Sequence, residues 1–178
     1  MTAMVNPKAG ASSTGDDWDA IDWQTAIAHV RRLQMRIAKA YREGKRGKVQ
    51  ALQRLLTHSY YGKLLAVKRI VQNKGGKTPG IDGIVWKTSK QKIEAVKSLK
   101  RRGYKPQALR RIYIPKKQKG KFRPLSIPVM ACRAQQALHL LSLEPIAETM
   151  ADKNSYGFRP LRSTADAISR CFDALSRS

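Results

Sequence analysis

The amino-acid sequence predicts a mainly helical α+β fold, with about six helices and a single basic β-hairpin. Apolar residues recur every three or four positions through most of the chain from residue 23 onward, which is the spacing of amphipathic helices. One stretch, residues 110–128, instead alternates with the period of two that is typical of strands. The 178 residues suffice for one compact domain or for a subdomain of a larger protein.

The first predicted helix begins near Trp23 and is amphipathic. Residues 1–17 before it are rich in small and polar residues and are predicted to be mobile. The apolar stripe of the helix consists of Trp23, Ile27, Val30, Ile37 and Tyr41. Its opposite side carries Arg32, Arg36 and Lys39. Such a face is ordinarily only solvated, but the charge of the chain makes contact with RNA or DNA an equal alternative.

Two shorter helices are predicted next. A turn over residues 42–47 leads into a helix around residues 49–56, and a third helix follows around residues 64–71. Gly62 is expected to interrupt the helical run, and the glycine pair at residues 75–76 to end it.

The segment before the hairpin contains a turn and one helix. Pro79-Gly80 is typical of the centre of a type II turn, in which the glycine has a positive φ angle. Asp82 is followed by glycine, which indicates turn formation far more strongly than catalysis. Residues 88–91 form a capping box that opens a helix running to about Leu99 and closed by Gly103.

Two helices are predicted after the hairpin. Residues 130–150 are mostly apolar and predict a buried helix that Pro145 kinks or divides. Residues 163–166 carry a cap signal for a last helix, whose apolar stripe is Ile168, Cys171, Phe172 and Leu175. Because no stop signal follows this stripe, we expect the natural protein to continue.

The hairpin is the most distinctive predicted element. Ile112 and Ile114 share one face of the first strand, Leu125 and Ile127 share one face of the second, and residues 116–121 form a polar tip. Three prolines indicate an edge ribbon. The cations around its tip and rim are Arg110, Arg111, Lys116, Lys117, Lys119, Lys121 and Arg123. The stretch therefore predicts an arm with an apolar underside that is suited to bind phosphate.

The charge of the chain is strongly and unevenly basic. There are 36 Lys and Arg against 12 Asp and Glu, a formal net charge of +24. Residues 1–22 hold four of the acids and one base, so the remaining 156 residues carry 35 bases and 8 acids, a net charge of +27. Self-repulsion of this size favours a nucleic-acid partner over a membrane surface, since no apolar run is long enough to span a bilayer.

Several kinds of chemistry find no support in the sequence. Cys132 and Cys171 are far apart and lack metal-ligand spacing, so both are predicted to be reduced core thiols. The absence of a signal peptide predicts a cytoplasmic, bacterial-type location. Gly-x-Ser-x-Gly and Walker-type loops are missing, and no carboxylate pair is placed to hold Mg²⁺. The sequence therefore predicts no metal ligands and no catalytic residues within this chain.

Five motifs, in order and with matching spacing, resemble a group II intron-encoded reverse transcriptase (maturase). They are Pro79-Gly-Ile-Asp-Gly83, Arg111-Ile-Tyr-Ile-Pro-Lys116, Phe122-Arg-Pro-Leu-Ser-Ile-Pro128, Leu143-Glu-Pro-Ile146 and Ser155-Tyr-Gly-Phe-Arg-Pro160. The resemblance covers about residues 50–178. It implies the fingers subdomain of a right-hand polymerase over residues 77–178, leading into a palm that is absent here. Residues 18–76 would form a basic helical extension that binds RNA.

The resemblance also implies roles for residues of the hairpin and of the last motif. Lys116 and Arg123 would contact the triphosphate of the incoming dNTP, with Arg110 as a third ligand and Lys117 as an alternative to Lys116. Solvated decoration of a hairpin is the plainer interpretation of the same cations. Phe158 would contact the nucleotide, and Phe158 and Tyr156 could stack on a base or ribose. Anchoring of the loop is the alternative role for both rings, and it is nearly as good an interpretation for Tyr156.

RNA binding is implied for a larger set of cations. The set consists of Arg31, Arg32, Arg36, Lys39, Arg42, Lys63, Lys68, Arg69, Lys117, Lys119, Lys121 and Arg159. Recognition through them should combine shape with backbone contact, because the major groove of A-form RNA is too narrow for side chains to read.

The activity that the resemblance implies is RNA-directed DNA synthesis, in support of RNA splicing and target-primed reverse transcription. The family's Mg²⁺-binding aspartates, including those of its Tyr-x-Asp-Asp turn, would lie beyond Ser178, so this chain alone is expected to be inactive. Expected partners are group II intron RNA, an RNA template with a DNA primer or target DNA, and, for the full-length protein, a second copy. A non-catalytic RNA-binding splicing cofactor and a basic ribonucleoprotein component are the alternatives.

Overall fold

The structure is a computed structural model, and it describes residues 17–118 and 120–176. The elements in chain order are α1 Trp23–Arg42, α2 Arg46–His58, α3 Tyr60–Gln72, a short 3₁₀ helix Lys74–Lys77, α4 Ser89–Ser98, β1 Arg110–Pro115, β2 Phe122–Ile127, α5 Met130–Met150 and α6 Thr164–Leu175. The prediction of a mainly helical chain with about six helices and one hairpin is confirmed for the described residues. Residues 1–16 of the predicted mobile segment and Lys119 lie outside them.

Helix α1 starts at a cap that the local sequence provides. The carboxylate of Asp22 accepts hydrogen bonds from the backbone N–H groups of Gln24 and Thr25, at 3.0 and 3.1 Å. These bonds satisfy two of the donors that a helix start leaves free. The pKa of Asp22 lies below its usual value, and the hydrogen bond from the Thr25 side chain is the main cause. The helix ends at Arg42, and Gly44, two residues later, adopts a φ of 69°.

Helix α5 is the centre of the helical unit and packs against α1, α2 and α3. One buried cluster lies where α5 meets α3 and α4 and includes Leu64, Val96 and Leu138. A second, which includes Ile37 and Leu56, lies between α1 and α2. Burial on several sides explains the low charge of α5. Pro145 lies inside the helix and does not divide it, because the helix continues to Met150.

Two glycines have roles that the sequence analysis predicted wrongly. Gly62 does not interrupt a helix but lies within α3, where a Cβ atom would be 2.6 Å from the carbonyl oxygen of Leu56. Gly80 lacks a positive φ angle, so the predicted type II geometry is wrong. It is buried, and a Cβ atom there would lie 2.5 Å from the Cα atom of Val129. Both glycines permit close approach of two chain segments.

The turn that follows Gly80 uses the next glycine. Gly83 has a φ of 69°. Its N–H donates to the carbonyl of Gly80 at 3.5 Å, and the carboxylate of Asp82 accepts from the N–H of Ile84 at 3.1 Å. Asp82 is therefore part of the turn, as the sequence indicated.

The two predicted caps are confirmed, and they open very different helices. Thr88 and Ser163 both form capping boxes, with Gln91 and Asp166 as their partners. Helix α4 packs into the core, whereas α6 buries none of its residues, and Phe172 is 71% exposed. The apolar stripe of α6 is thus a solvent-exposed face.

The two cysteines differ in burial. Cys132 lies buried in α5, as predicted, whereas Cys171 lies on the exposed stripe of α6. The prediction of a core position for Cys171 was wrong, because helical spacing indicates a face without indicating what covers it.

Candidate nucleic-acid interface

The hairpin has the register of a regular antiparallel ribbon. Ile112 lies opposite Leu125, and Arg110 lies opposite Ile127. Beyond the last strand pair, the N–H of Lys116 donates to the carbonyl of Lys121 at 2.8 Å, which extends the pairing into the tip. Because opposed residues of antiparallel strands project from the same face, this register assigns every hairpin side chain to one of two faces.

We name the first of these the cationic face. It carries Ile112, Ile114, Leu125 and Ile127 in the middle, and Arg110, Lys116, Lys121 and Arg123 towards its ends. The predicted apolar underside is therefore correct for its four apolar residues but incomplete, since four cations lie on the same side. All four cations are exposed, and within the described residues none of them pairs with a carboxylate.

The register brings Lys116 and Arg123 together and separates Arg110 from Lys116. Lys116 is opposite Lys121 and Arg123 is opposite Ile114, so Lys116 and Arg123 are diagonal neighbours, a relationship in which long side chains meet. Arg110 lies six residues back along the strand from Lys116, about 20 Å at a rise of about 3.3 Å per residue. Lys116 and Arg110 can therefore contact only different parts of a ligand. Lys117 lies in the bend at the tip.

The second face, which we name the aromatic face, was missed by the sequence analysis. It carries Tyr113, Pro115, Phe122 and Pro124, together with Arg111 and Ser126. Tyr113 is 63% exposed and Phe122 is 59% exposed, so both rings are available for stacking. Their position follows from the register, which the sequence analysis did not apply across the tip.

The predicted RNA-binding cations of α1 form two rows. All five are exposed on the side opposite Val30, Leu33 and Ile37. Arg32, Arg36 and Lys39 follow one another at spacings of four and three residues and form the first row. Arg31 and Arg42 form a second row that lines a cavity between α1 and α5, together with Glu144 and Glu148. Only the first row is clear of this acidic wall.

Neighbouring charges modify the end of the first row. Lys39 lies 4.0 Å from Glu43, whose carboxylate is also 2.8 Å from Lys45. The hydrogen bond from Lys45 is the main reason that the pKa of Glu43 is lowered. Lys39 is nevertheless 76% exposed in its side chain, and its contact with Glu43 is long. It therefore remains accessible to a phosphate.

The cations of α3 differ in their surroundings. Arg69 is exposed, while Lys63 and Lys68 are half-buried. The ammonium of Lys68 lies 4.0 Å from the ring centroid of Trp23, a cation–π contact that ties the start of α1 to α3. Lys68 therefore has a structural contact that the sequence analysis did not foresee.

The loop containing residues 155–160 displays one aromatic ring and fixes one arginine. Phe158 has a φ of 59° and its side chain is fully exposed, while Tyr156 is half-buried with Arg162 at 5.4 Å from its ring centroid. Nε of Arg159 donates to both carboxylate oxygens of Glu148, at 3.3 Å to Oε1 and 3.1 Å to Oε2, and its Nη2 donates to Oε2 at 2.6 Å. Its Nη1 donates to the carbonyls of Asp152 and Ser155.

These contacts give Arg159 an internal role in this structure. Its side chain is only 11% exposed, and every guanidinium nitrogen donates within the protein. A phosphate would have to displace Glu148 or the loop carbonyls to reach it. The ring of Phe158, by contrast, is open to solvent, and its left-handed backbone conformation is uncommon for a residue other than glycine.

The described residues also bear on metal binding and on membrane crossing. No group of three or more His, Cys, Asp or Glu side chains in residues 17–118 and 120–176 is arranged to hold a metal ion. None of the helices described there has both the length and the apolar character needed to cross a bilayer.

The chain is similar to one family model and to several known proteins. Residues 18–99 match the family model of the N-terminal domain of reverse transcriptase. The chain is 41% identical over 128 residues to Protein YkfC of Escherichia coli (strain K12), a match covering 68% of this chain and 32% of that protein. It is 40% identical over 106 residues to the group II intron-encoded protein LtrA of Lactococcus lactis subsp. cremoris, covering 58% of this chain and 18% of that protein.

The matches cover only part of the length of each relative. The matched segment spans about a third of the first relative and less than a fifth of the second. The match to the family model, residues 18–99, includes helices α1 to α4. These findings support a group II intron reverse transcriptase N-terminal region in this chain, as its motifs indicated.

Proposed function

We propose that this chain is the RNA-binding and nucleotide-contacting N-terminal part of an intron-encoded reverse transcriptase and maturase. It would bind intron RNA and template and contact the triphosphate of the incoming dNTP, in support of RNA splicing and target-primed reverse transcription. The observation that carries the proposal is the hairpin register, which brings Lys116 and Arg123 together on one exposed face. The resemblance to the family supports the same assignment.

The pairing of a lysine with an arginine suits a triphosphate. The guanidinium of Arg123 offers a planar fork of N–H donors to phosphate oxygens, and the ammonium of Lys116 offers a compact charge. Donors that are already oriented stabilise the charge that develops on a leaving phosphate group. Of the two lysines, we assign this role to Lys116, because Lys117 lies beyond the last cross-strand hydrogen bond that the structure shows.

Binding of intron RNA is assigned first to the row of Arg32, Arg36 and Lys39. These side chains project from a helix whose opposite side is anchored in the core, so the charges are held at fixed spacing. Arg69 and the tip lysines extend the contact surface. We leave Arg159 out of this surface because its donors are engaged by Glu148 and loop carbonyls.

Mg²⁺ is expected for the complete enzyme, yet the described residues contain no group that fits it. We therefore propose that its ligands lie outside this chain. What this chain supplies to the reaction is binding and orientation of phosphates.

Primer extension tests the proposal. The purified chain, given RNA template, DNA primer, Mg²⁺ and dNTPs, should synthesise no DNA, while a longer protein that includes this chain and the family's aspartates should do so. Robust extension by the chain alone would overturn the placement of the catalytic acids. Failure of the longer protein to use dNTPs would overturn the polymerase assignment.

A non-catalytic role in splicing is a second candidate, and the α1 row favours it. Arg32, Arg36 and Lys39 lie on the helical part of the chain and not on the hairpin, so RNA binding there does not require nucleotide contact. This role predicts that the chain alone accelerates folding or splicing of intron RNA without dNTPs. Equal acceleration of unrelated structured RNA would indicate only a general basic protein.

A further inference from the structure

Two adjoining cavities lie between α2, α5 and the loop that follows α4. One has a volume of about 430 Å³ and is lined mainly by apolar and aromatic groups, and the other has a volume of about 280 Å³ and is polar. They share His139 and Leu143 as lining residues, so one ligand can occupy both. Leu143, which lines both cavities, is the one described lining residue that belongs to the five sequence motifs.

The larger cavity has an aromatic wall. Tyr104 lines it together with Pro106, Leu140 and Leu143. Burial, followed by the neighbouring thiol of Cys132, raises the pKa of Tyr104 to about 12. The phenol is therefore uncharged at neutral pH, and the residue is 39% exposed. An aromatic ring with aliphatic neighbours is a surface on which a nucleobase stacks.

A buried amide at the same wall lacks a partner. Gln135 is 3% exposed and lines the larger cavity. Its Nε2 lies 3.1 Å from Nε2 of His139, while its Oε1 is buried without a hydrogen bond among the described residues. With the imidazole tautomer whose Nε2 is unprotonated, the amide N–H donates to His139 and Oε1 remains an unpaired acceptor. Buried polar atoms are nearly always paired, and Oε1 gains a partner when the amide side chain turns towards a donor in the cavity.

The smaller cavity supplies positively charged hydrogen-bond donors. Arg54 and Arg101 line it with Gln50 and Gln53, and the Nε of Arg101 is buried without a hydrogen-bond partner. Within the described part of the chain, neither cavity is lined by an aspartate or a glutamate. The cavity between α1 and α5 differs in this respect, because two glutamates line it. Two guanidinium groups without an acid nearby suit a phosphate.

We propose that these two cavities form a binding site for one nucleotide whose base carries an amino group: adenine, cytosine or guanine. The base would stack on Tyr104 and donate its exocyclic amine to Oε1 of Gln135, while the phosphate would bind Arg54 and Arg101. The proposal rests on the proposed RNA binding and adds to it a base-reading site outside the hairpin and α1. The nucleotide comes either from a strand or from free solution.

Nuclear magnetic resonance on the labelled chain tests the site without requiring a variant. The probes are adenosine 5′-monophosphate, inosine 5′-monophosphate, inorganic phosphate and a ten-residue oligoadenylate. We expect adenosine monophosphate or the oligomer to shift the Tyr104 ring and His139 imidazole signals. Inosine monophosphate, which lacks the amino group, should bind about three- to tenfold more weakly, the size of one hydrogen bond. Phosphate should shift Arg101 and leave the Tyr104 ring unchanged.

Matched variants separate the site from general charge. Arg101→Gln should weaken adenosine monophosphate binding about tenfold, whereas Arg102→Gln, the same change at the exposed neighbouring residue, should not. Gln135→Leu should remove the preference for adenosine over inosine. Circular dichroism on each variant checks that it is folded.

The outcomes distinguish this inference from the proposed function. Shifts with the oligomer but not with the free nucleotide would assign the site to a strand, and shifts with both would allow either source. If the oligomer binds and shifts α1 while Tyr104 and His139 do not move, the inference fails and the proposed function stands. If the oligomer does not bind at all, both fail. Tighter binding of an acidic aromatic peptide at Tyr104 would indicate a protein partner and overturn the inference. Equal losses of adenosine monophosphate affinity in Arg101→Gln and Arg102→Gln would also overturn it.

Discussion

The guanidinium of Arg159 is held by the carboxylate of Glu148, with Nη2 at 2.6 Å from Oε2. This pair ties the loop containing residues 155–160 back to the C-terminal part of α5. Fixing Arg159 inward leaves Phe158 projecting into solvent. The ion pair thus determines which side chain of the motif is presented and which is structural.

Acid should release this loop. The pKa of Glu148 is lowered from its usual 4.5, chiefly by the hydrogen bond from Arg159. Because the folded-state pKa is depressed, the stabilisation is present above pH 4.5 and is lost as pH falls through the lower folded value. We expect Glu148→Gln to lower Tm at neutral pH, with a difference from the wild type that vanishes in acid. Thermal unfolding across pH measures it, and Glu144→Gln, one turn earlier in α5, is the control. A difference that stays constant with pH would contradict the ion-pair account.

The cationic face of the hairpin should govern nucleotide use in a longer, active protein that contains this chain. Lys116→Ala and Arg123→Ala should each raise KM for dNTP about tenfold or more, since a hydrogen bond to a charged group contributes about 1.5–3 kcal/mol. Arg111→Ala, on the aromatic face, should change it little. Steady-state kinetics measures these KM values, and Lys117→Ala tests whether Lys117 takes the place of Lys116 at the triphosphate. Wild-type dNTP kinetics in both Lys116→Ala and Arg123→Ala would remove the triphosphate assignment.

The α1 row should contribute to the salt dependence of RNA binding. For single-stranded RNA, the slope of log K against log[salt] is about −0.7 per phosphate neutralised. Replacing Arg32, Arg36 and Lys39 by Gln should therefore flatten the slope by about 2 units. The change Arg31→Gln with Arg42→Gln, in the row beside Glu144 and Glu148, should have a smaller effect. If the two sets of changes flatten the slope equally, the row has no special role.

Close packing at Gly80 predicts a large cost for a single methyl group. A Cβ atom at residue 80 would lie 2.5 Å from Cα and 2.8 Å from N of Val129, and backbone atoms cannot move aside easily. Gly80→Ala should lower the free energy of unfolding by about 1–3 kcal/mol. Gly47→Ala, in α2 with open space around it, should instead raise it by up to about 1 kcal/mol. Denaturant titration compares them, and a neutral Gly80→Ala would show that the contact with Val129 is loose.

The two cysteines should react at different rates. Cys171 is exposed on α6, whereas Cys132 is buried in α5. A thiol reagent should modify one cysteine quickly in the folded chain and both only after denaturation. Mass spectrometry of the modified peptides identifies which reacts first. Rapid modification of Cys132 would show that the wall of the proposed nucleotide site opens readily.

Local signals predicted most elements of this fold. The capping boxes at Thr88 and Ser163 and the apolar spacing of α1 depend on neighbours within a few residues, which is why these elements could be predicted without the fold. The paired strands were predictable for the same reason. Even the aromatic face of the hairpin was available from the sequence, because extending the pairing from the tip assigns Tyr113 and Phe122 to one side.

Contacts between distant residues could not be predicted in this way. Gly62 and Gly80 look like turn residues until Leu56 and Val129 are placed against them. Arg159 looks like a free cation until the end of α5 brings Glu148 to it, 11 residues earlier in the chain.

The sequence alone predicted the helices, the basic hairpin and the resemblance to group II intron reverse transcriptases, because periodicity, caps and motifs are properties of short segments. Folding assigned the cations to faces, committed Arg159 to an internal contact and brought Tyr104, Gln135 and Arg101 around two adjoining cavities. The physical reason is that periodicity says which residues share a face, while burial and pairing depend on what packs against that face.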